Sequence, residues 1–445
     1  MASAKLTRTF SAGNRKTFTF SAWVKRTGTS TNYEGLCIAS GGDQGIFFKD
    51  HKISFFINGA AERKTTRLFR DTNGYYHIVL AVDTTQATAA DRVKFYVNGV
   101  QETLYNNSNY PTQNSDGLFN NNAGTHVIAG HSTQSYFLDG EMAHVHYVDG
   151  TAYTPTTFGE TDATTGIWKP KTAPTVTYGT NGFFLKFDNS ANMGLDSAGS
   201  NNLTTSGTII QNKDTPSNVF ATLNLYAFTE DGLSNTVFKN GSTTFDSNET
   251  GSGVYTTSFS TLGVSSGKYY CEYKTTQASG DGVMAIGIGE GDGFESYFGG
   301  GTNSVIYMGD TGQYRKGGSD TSYGNTFTVN DIIGVALDLD NNKLYFSKNG
   351  TWQNSGDPTS GSTGTGAISI SAASATSTGF YFFGIGDKSS GGTCEVSVNF
   401  GNGYFGTTAV SSAQNPDDGN GIFEHDVPAG YRALCTKSIN AEEYS

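Results

Sequence analysis

The sequence has few cysteines and prolines, no long apolar run and no excess of basic residues. Its four cysteines, Cys37, Cys271, Cys394 and Cys435, are scattered, with no C-x-x-C or metal-ligand spacing. We therefore expect buried free thiols, and a disulfide between Cys271 and Cys394 is the alternative. Only 8 residues are proline. No apolar stretch approaches the roughly 20 residues that span a bilayer, so we expect no membrane insertion.

Charge and the amino-terminal segment argue against two further classes. Forty acidic residues against 28 basic residues give a formal net charge of −12 at pH 7, which disfavours contact with nucleic acid. The first residues, MASAKLTRTFSAG, lack the apolar region of a secretory signal. We therefore expect synthesis in a cytoplasm and no nucleic-acid partner.

Glycine, by contrast, is abundant. The chain has 58 glycines among 445 residues, nearly double the usual share of about 7 %. Many of them follow Asn or Asp, and these pairs favour the tight turns of β-hairpins. No stretch of about 12 residues shows a 3.6-residue apolar period. The pattern predicts an all-β protein with many short strands and little helix.

The stretch from Asp331 to Trp352, DIIGVALDLDNNKLYFSKNGTW, is the most informative piece of the chain. Apolar residues alternate with small or polar ones in its first strand, as expected when one face is buried. Its second strand ends at Asn349-Gly350, a pair that suits a type I′ turn. The stretch closely resembles the central hairpin of the SPRY (B30.2) family. That resemblance implies a β-sandwich that binds partners through loops and is not an enzyme.

An earlier region repeats the same layout of strand, turn, strand and Asn-Gly. It reads HIVLAVD at 77–83 and RVKFYVNG at 92–99. The segments FSAWVK at 20–25 and FLDGEM at 137–142 resemble two strands of laminin-G-like, concanavalin A-like lectin domains. These domains are jelly rolls that usually bind sugars or proteins. We therefore expect two antiparallel β-sandwiches in tandem.

The domain boundaries follow from shifts in composition. We expect a lectin-like sandwich over 1–190, a connector rich in Asn, Ser, Thr and Gly over 191–222, and a SPRY-like sandwich with a C-terminal extension over 223–445. The predicted strands lie near 17–25, 53–57, 77–83, 92–97, 125–129, 142–148, 182–187, 268–275, 283–288, 304–308, 332–339, 343–348, 380–385 and 394–400.

Five further segments are similar to a type of virion structural protein of tailed bacteriophages, notably phages of marine bacteria and cyanobacteria. They lie at 152–171, 181–202, 214–224, 396–405 and 427–436. The resemblance implies a protein on the virion surface, with other virion proteins and a host surface glycan or protein as partners. It also implies a homo-oligomer or several copies per particle. A tail-fibre or receptor-binding component is our leading hypothesis, and capsid decoration (a head fibre) is the alternative.

Three segments match enzyme or metal-site motifs in sequence, but their context does not fit the corresponding structures. Residues 290–295, EGDGFE, contain the E-x-D-x-x-E of laminarinase-type glycosidases, but the intervening glycines indicate a loop. The G-x-S-x-G at 263–267 precedes a predicted strand, whereas a nucleophile elbow precedes a helix. The stretch at 338–342 begins like a calcium-binding EF-hand loop but lacks the later Gly and Glu. We therefore expect no catalytic residues and no enzyme, with a glycan depolymerase as the remaining alternative.

The sequence gives equally weak evidence for a metal site. His144 and His146 are two residues apart on a predicted strand, but no third zinc ligand stands out. We expect structural or surface histidines, no metal site and no cofactor. Asp139, Glu141 and Asp149 could hold a structural calcium ion, and acidic turns without metal are the other interpretation.

Aromatic residues in polar segments are the candidate ligand contacts, since such mixtures are typical of sugar platforms and adaptable interfaces. They are Tyr105, Tyr110 and Tyr136 in the first sandwich, and Tyr314, Arg315, Tyr323 and Trp352 in the second. Arg315 is the preferred polar contact, because Arg and Tyr are enriched at binding hot spots.

Overall fold

The fold comes from a computed structural model. It describes residues 4–444 apart from 29, 40–43, 58–61, 106–108, 122, 164, 226–235, 248–255, 280–283, 292–296 and 388–391. The chain divides into two compact units, residues 1–211 with 215–217 and residues 212–214 with 218–445. Each unit is built from β-sheets that are antiparallel apart from a short parallel pair between Lys268–Ser279 and Arg432–Ala433, which confirms the predicted fold class. In the described part of the chain, no helix is long and apolar enough to cross a membrane.

The first unit contains sixteen strands among its described residues. They are β1 Lys5–Thr9, β2 Thr17–Arg26, β3 Glu34–Ile38, β4 Gly45–Lys49, β5 Lys52–Phe56, β6 Arg63–Thr65, β7 Tyr76–Asp83, β8 Val93–Val97, β9 Val100–Gln101, β10 Leu104–Tyr105, β11 Thr125–Ile128, β12 Gly140–Asp149, β13 Gly159–Thr161, β14 Trp168–Pro170, β15 Phe183–Leu185 and β16 Thr204–Ser206. Two 3-10 turns lie at Ala89–Asp91 and Pro155–Thr157.

Two sheets of the first unit pack face to face. The wide sheet has the order β10-β6-β5-β4-β3-β11-β1-β16, and the narrow sheet has the order β15-β12-β2-β7-β8-β9. Their facing side chains, among them Phe20, Phe48 and Phe95, form one buried core. β13 and β14 pair as a separate hairpin. Part of the segment predicted as a connector, Thr204–Ser206, is the edge strand of the wide sheet.

The second unit contains seventeen further strands and the α-helix α1, Thr436–Glu443, among its described residues. The strands are β17 Val237–Lys239, β18 Thr244–Asp246, β19 Thr256–Phe259, β20 Lys268–Ser279, β21 Met284–Gly289, β22 Val305–Met308, β23 Gln313–Lys316, β24 Ser319–Ser322, β25 Ile332–Asp338, β26 Lys343–Lys348, β27 Thr351–Trp352, β28 Ile368–Ser369, β29 Phe382–Asp387, β30 Thr393–Asn399, β31 Tyr404–Phe405, β32 Thr408–Ala409 and β33 Arg432–Ala433. Three 3-10 turns lie at Gln353–Ser355, Gly361–Thr363 and Ala373–Ala375.

The second unit is also a sandwich. Its wide sheet has the order β17-β18-β30-β20-β25-β26-β27, with β28 beside β26 and β33 beside β20. Its narrow sheet has the order β19-β29-β21-β22-β23-β24. The two inner faces share one core that includes Tyr307, Val335 and Phe346. All four cysteines are buried free thiols, so the Cys271–Cys394 disulfide is not formed.

The hairpins predicted from Asn-Gly pairs are confirmed in both units. Asn98 and Gly99 have φ of 48° and 81°, and Asn349 and Gly350 have φ of 49° and 77°. Positive φ at both central residues defines the type I′ turn, whose twist matches that of the strands it joins. The G-x-S-x-G motif leads into strand β20 and not into a helix, as predicted.

Candidate functional site

A segment of the first unit covers the outer face of the narrow sheet. We call residues 151–178 the strap. Phe158, Tyr153 and Tyr178 of the strap pack against Val79 and Val148, which point away from the sandwich core. Apolar and polar residues alternate poorly in this stretch, because most of the strap lies across a sheet and does not pair within one. The strap turns the outer face of the narrow sheet into a buried layer.

His77 and Trp168 hold the strap to the sheet. The indole Nε1 of Trp168 donates to Nδ1 of His77 at 3.0 Å, and Nε2 of His77 lies 2.9 Å from Oγ of Ser21. An indole can only donate, so Nδ1 accepts and the imidazole proton lies on Nε2. Burial lowers the pKa of His77 to about 3. The ring is therefore neutral at physiological pH and has a structural role.

The two histidines considered as zinc ligands also differ from one another. His146 is buried, its Nδ1 lies 2.8 Å from the Tyr178 hydroxyl, and its ring stacks on Phe184 at 4.0 Å. His144 sits in a β-bulge with φ of 46°, where the register shifts between Ala143 and His146. The bulge breaks the simple alternation that the sequence suggested. Burial lowers the pKa of both rings.

The outer face of the wide sheet in the first unit carries a different surface. Tyr33, Phe47, Phe56, Tyr136 and His131 form an aromatic cluster on this face, with centroid distances of 5.2–6.5 Å. The rings of Tyr33, Phe56 and Tyr136 are half-buried, whereas Phe47 is 3 % exposed. We call these five residues the aromatic cluster.

A cation lies beside the aromatic cluster. Lys49 Nζ is 4.5 Å from the centroid of Tyr33, within the distance of a cation–π contact. Half-exposed aromatic faces with neighbouring polar and charged groups suit sugar rings and protein side chains. We take the aromatic cluster as the candidate binding surface of the first unit.

Tyr136 is the only predicted site residue in this cluster. The sequence analysis missed Tyr33, Phe47 and Phe56, although a signal was present. Phe-Phe pairs occur at 47–48 and 55–56, and successive strand residues point to opposite faces. One Phe of each pair must therefore face away from the core, as Phe47 and Phe56 do.

The other two predicted tyrosines lie at the edge of the same sheet. Tyr105 is in the edge strand β10, where it pairs with Lys64. Tyr110 is half-buried, and the guanidinium carbon of Arg63 lies 3.8 Å from its ring centroid.

In the second unit the neighbours Tyr314 and Arg315 do not share a face. Tyr314 packs towards the core, edge-on to Tyr323 at 5.9 Å. Arg315 lies on the other side, where its Nε and Nη2 bind the carboxylate of Asp320 at 2.5 and 2.8 Å. Consecutive strand residues point to opposite faces of a sheet, so the side chains of Tyr314 and Arg315 cannot both contact one ligand.

Two further predicted residues are more buried than their polar sequence context suggested. Tyr323 is 8 % exposed, and its hydroxyl accepts the backbone N–H of Phe346 at 3.2 Å. Its ring is therefore a core residue and not a loop platform. Trp352 is half-buried and packs edge-on against Tyr270 and Tyr345, each at 6.4 Å.

Trp352 borders a covering layer in the second unit. We call residues 411–435 the cover. Phe423, Tyr431 and Ala433 of the cover pack on the outer face of the wide sheet. Glu272 anchors this layer, because its carboxylate accepts the backbone N–H groups of Glu424 and His425, each at 2.8 Å.

Glu272 has an unusual protonation equilibrium. The Tyr270 hydroxyl donates a third hydrogen bond to its carboxylate, at 3.1 Å. Burial nevertheless raises the pKa of Glu272 to about 7, against the opposing effect of these donors. The carboxylate thus serves as a buried internal hydrogen-bond acceptor.

The acidic residues considered for calcium have separate roles. Asp139 accepts from Thr27, Glu141 accepts from Tyr75, and Asp149 accepts from the backbone N–H of Asn14. Among the described residues, no group of three or more His, Cys, Asp or Glu side chains could hold a metal ion.

Of the glycosidase-like motif, Glu290 and Gly291 are described, and residues 292–295 lie outside the described part. The Glu290 carboxylate accepts from Nδ2 of Asn303 at 2.5 Å.

Comparison with known families supports this reading of both sandwiches. The Laminin_G_3 family, described as the concanavalin A-like lectin/glucanases superfamily, matches residues 2–157. The SPRY domain family matches residues 268–368. The chain carries a concanavalin A-like domain followed by a SPRY domain. Below, the first unit is called the lectin-like domain and the second unit the SPRY domain.

Relatives with curated descriptions match only a short stretch. Ran-binding protein 9 of Danio rerio and of Homo sapiens are each 37 % identical over 86 residues, which is 19 % of this chain. The match spans 14 % and 12 % of those two proteins. Ran-binding protein 10 of Danio rerio is 37 % identical over 86 residues, 14 % of its length.

Solved structures give partial matches. The SPRY domain of human HERC1 is 16 % identical with a TM-score of 0.31, covering 40 % of this chain and 96 % of that chain. A Bacteroides ovatus protein to which carbohydrate binding is provisionally ascribed is 17 % identical with a TM-score of 0.35. That match covers 47 % of this chain and 57 % of the Bacteroides chain.

Proposed function

We propose that this protein is a non-enzymatic binding subunit on the surface of a tailed-phage virion, acting as a tail-fibre or receptor-binding component. Its target is a glycan or protein of the host cell surface. The observation that supports the binding role is the aromatic cluster of the lectin-like domain, where three half-buried rings lie on the outer face of a sheet with Lys49 beside them. Lectin-like and SPRY domains are both binding types of domain, which supports the same role.

The virion assignment rests on the resemblance of segments that a β-sandwich as such does not require. One of them, residues 152–171, falls within the strap, and another, residues 427–436, overlaps the cover. Other virion proteins would be the partners in assembly, and several copies would act together on one particle. Multivalency can raise avidity by about 10²–10⁴ over a single contact, so weak individual sites suffice.

Host adsorption tests the binding role. The double variant Tyr33→Ala with Tyr136→Ala removes two rings of the aromatic cluster and should lower adsorption of the virion, or binding of a multivalent form of the protein, at least tenfold. Tyr444→Ala is the matched control, because this tyrosine is 81 % exposed and lies outside the aromatic cluster. Equal adsorption of all three proteins would refute the choice of surface.

The position on the particle separates the two virion roles. Gold-labelled antibody on intact virions should mark the tail. Label spread evenly over the head and absent from the tail would replace the tail role with capsid decoration.

The absence of catalysis is tested directly. The protein incubated with laminarin or with host capsular polysaccharide should release no reducing ends. Turnover that Glu290→Gln abolishes would establish a depolymerase instead.

A further inference from the structure

Arg63 of the lectin-like domain is a buried cation with unused hydrogen-bonding capacity. The residue is 2 % exposed, and its place on β6 opposite Phe55 puts its side chain on the core side of the wide sheet. Its Nε donates to the carbonyl oxygen of Asn109 at 2.9 Å. Nη1 and Nη2 are both buried, and within the described part of the chain neither has a hydrogen-bond partner.

This arrangement is costly in a protein that has nothing else to bind there. A guanidinium presents five N–H donors, and leaving buried donors unsatisfied disfavours the folded state. No carboxylate among the described residues forms an ion pair with Arg63, whereas Arg26 is paired with Glu34 and Arg67 with Glu102. Burial lowers the pKa of Arg63, and the Tyr110 side chain, whose ring centroid lies 3.8 Å from the guanidinium carbon, opposes that shift.

The Nη1 and Nη2 groups of Arg63 are the kind of donor pair that recognises an oxyanion. Two parallel N–H donors of a guanidinium match the two oxygens of a carboxylate or of a sulfate group. Asn109 and Tyr110 follow the edge strand β10 and hold the remaining donor and the ring face. Tyr110 is half-buried and is the described aromatic side chain that stacks on the guanidinium.

We propose that Arg63 and Tyr110 form a binding site for the oxyanion of an acidic glycan, with the oxyanion on Nη1 and Nη2 and the sugar against the tyrosine ring. The proposal rests on the glycan-binding role above and narrows its ligand to sugars that carry a carboxylate or a sulfate ester. The net charge of −12 repels polyanions in general, so binding of such a glycan requires a specific site.

The test compares three oligosaccharide probes at one physiological ionic strength: an oligogalacturonate, a sulfated galactan oligomer and neutral laminarin oligomers. Isothermal titration with the full chain should show binding of at least one acidic probe, and Arg63→Met should weaken it about tenfold or more, the loss expected for charge-assisted hydrogen bonds. The acidic probe that binds identifies the oxyanion. Arg67→Met is the matched control, since this arginine is exposed and already paired with Glu102.

Thermal unfolding without ligand provides a second readout. Replacing a poorly paired buried charge by an apolar side chain is often neutral or stabilising. Arg63→Met should therefore leave the midpoint of the lectin-like domain unchanged or raise it, and the acidic probe should then no longer shift it. A large fall in the midpoint with unchanged probe binding would show a structural arginine and overturn the proposal.

The oxyanion-site proposal and the broader glycan-binding proposal can be refuted separately. Binding of laminarin with no binding of either acidic probe would overturn the oxyanion site and leave the glycan-binding role standing. Binding of no probe, together with normal adsorption by the Tyr33 and Tyr136 double variant, would overturn both.

Discussion

Both domains cover the outer face of one sheet with a segment of their own chain, yet they anchor that segment with opposite kinds of polar group. In the lectin-like domain the strap is held by neutral imidazoles, His77 with Trp168 and His146 with Tyr178. In the SPRY domain the cover is held by Glu272, which accepts two backbone N–H groups.

The difference teaches how burial acts on acids and bases. Burial disfavours the charged form of either group, so it lowers the pKa of a histidine and raises the pKa of a glutamate. The pKa of His77 falls to about 3, and that of Glu272 rises to about 7. The two anchors therefore respond to acid in opposite directions, although both serve the same architectural purpose.

Acidification should lower the stability of the lectin-like domain far more than that of the SPRY domain, and this is the largest effect we expect. Below pH 6.5 an unfolded histidine binds a proton, but buried His77 and His126 resist until about pH 3 and 4. Their contribution is present above pH 6.5 and is lost as the pH falls, by about 3 kcal/mol for each residue at pH 4. Glu34 has a raised pKa of about 7 and offsets part of this loss.

In the SPRY domain Glu272 takes up a proton in the folded state as the pH falls from about 7, so its contribution to stability increases towards pH 4.5. Asp331 and Glu424, whose pKa values are lowered, act the other way. Scanning calorimetry at pH 7, 5 and 4 should show the lectin-like transition moving down by far more than the SPRY transition. His77→Gln should reduce that acid shift, and an undiminished shift would contradict this account.

Removing the acidic anchor should destabilise the SPRY domain alone. Glu272→Ala leaves two part-buried backbone donors without an acceptor, at a cost of about 3 kcal/mol in the free energy of unfolding. Urea denaturation, followed by hydrogen exchange resolved for each domain, measures this loss in the free energy of unfolding. Glu395→Ala, on the partly exposed ion pair with Lys239, is the control and should cost less than about 1 kcal/mol. Equal effects of the two variants would show that Glu272 is no anchor.

Weakening the strap should have a smaller effect, confined to the lectin-like domain. Trp168→Phe keeps an aromatic ring between Gly99 and Gly159 but removes the donor to Nδ1 of His77. We expect a loss of about 1–2 kcal/mol in the lectin-like transition measured by calorimetry. A simultaneous shift of the SPRY transition would contradict the independence of the two layers.

The smallest effects should come from the two matched type I′ turns. Gly99→Ala and Gly350→Ala each place a side chain at positive φ, which costs about 1 kcal/mol. The cost should be higher at Gly99, where the added Cβ would lie 3.1–3.2 Å from three atoms of the Trp168 ring, than at Gly350, where it would lie 3.0 Å from a single atom of His425 and farther from the rest. Chemical denaturation of both variants gives the comparison, and a larger loss at Gly350 would reverse it.

Much of the fold could be read from the sequence because the relevant physics is local. Turn residues that accept positive φ and period-2 alternation located strands such as Thr17–Arg26 and Lys343–Lys348 within one or two residues. The same alternation rule, applied to the Phe-Phe pairs at 47–48 and 55–56, would also have placed Phe47 and Phe56 outside the core.

The candidate site depended on contacts between residues far apart in sequence. Nothing near Tyr323 indicates that the backbone N–H of Phe346 donates to its hydroxyl. Nothing near Arg63 reveals that the N–H donors of Nη1 and Nη2 lack a partner among the described residues. Chain order alone already implied that Tyr314 and Arg315 point to opposite faces, but only the packed sandwich decided which of them meets the core.

The sequence by itself thus determined the fold class and the hairpins, since backbone geometry and alternation are set within a few residues. The two domain types came from the resemblance of particular segments to known families. Only the tertiary structure decided which sheet face the strap and the cover bury, that His77 is neutral, and which aromatic rings remain half-exposed. Burial and hydrogen-bond satisfaction are sums over side chains from many strands, and no local pattern contains them.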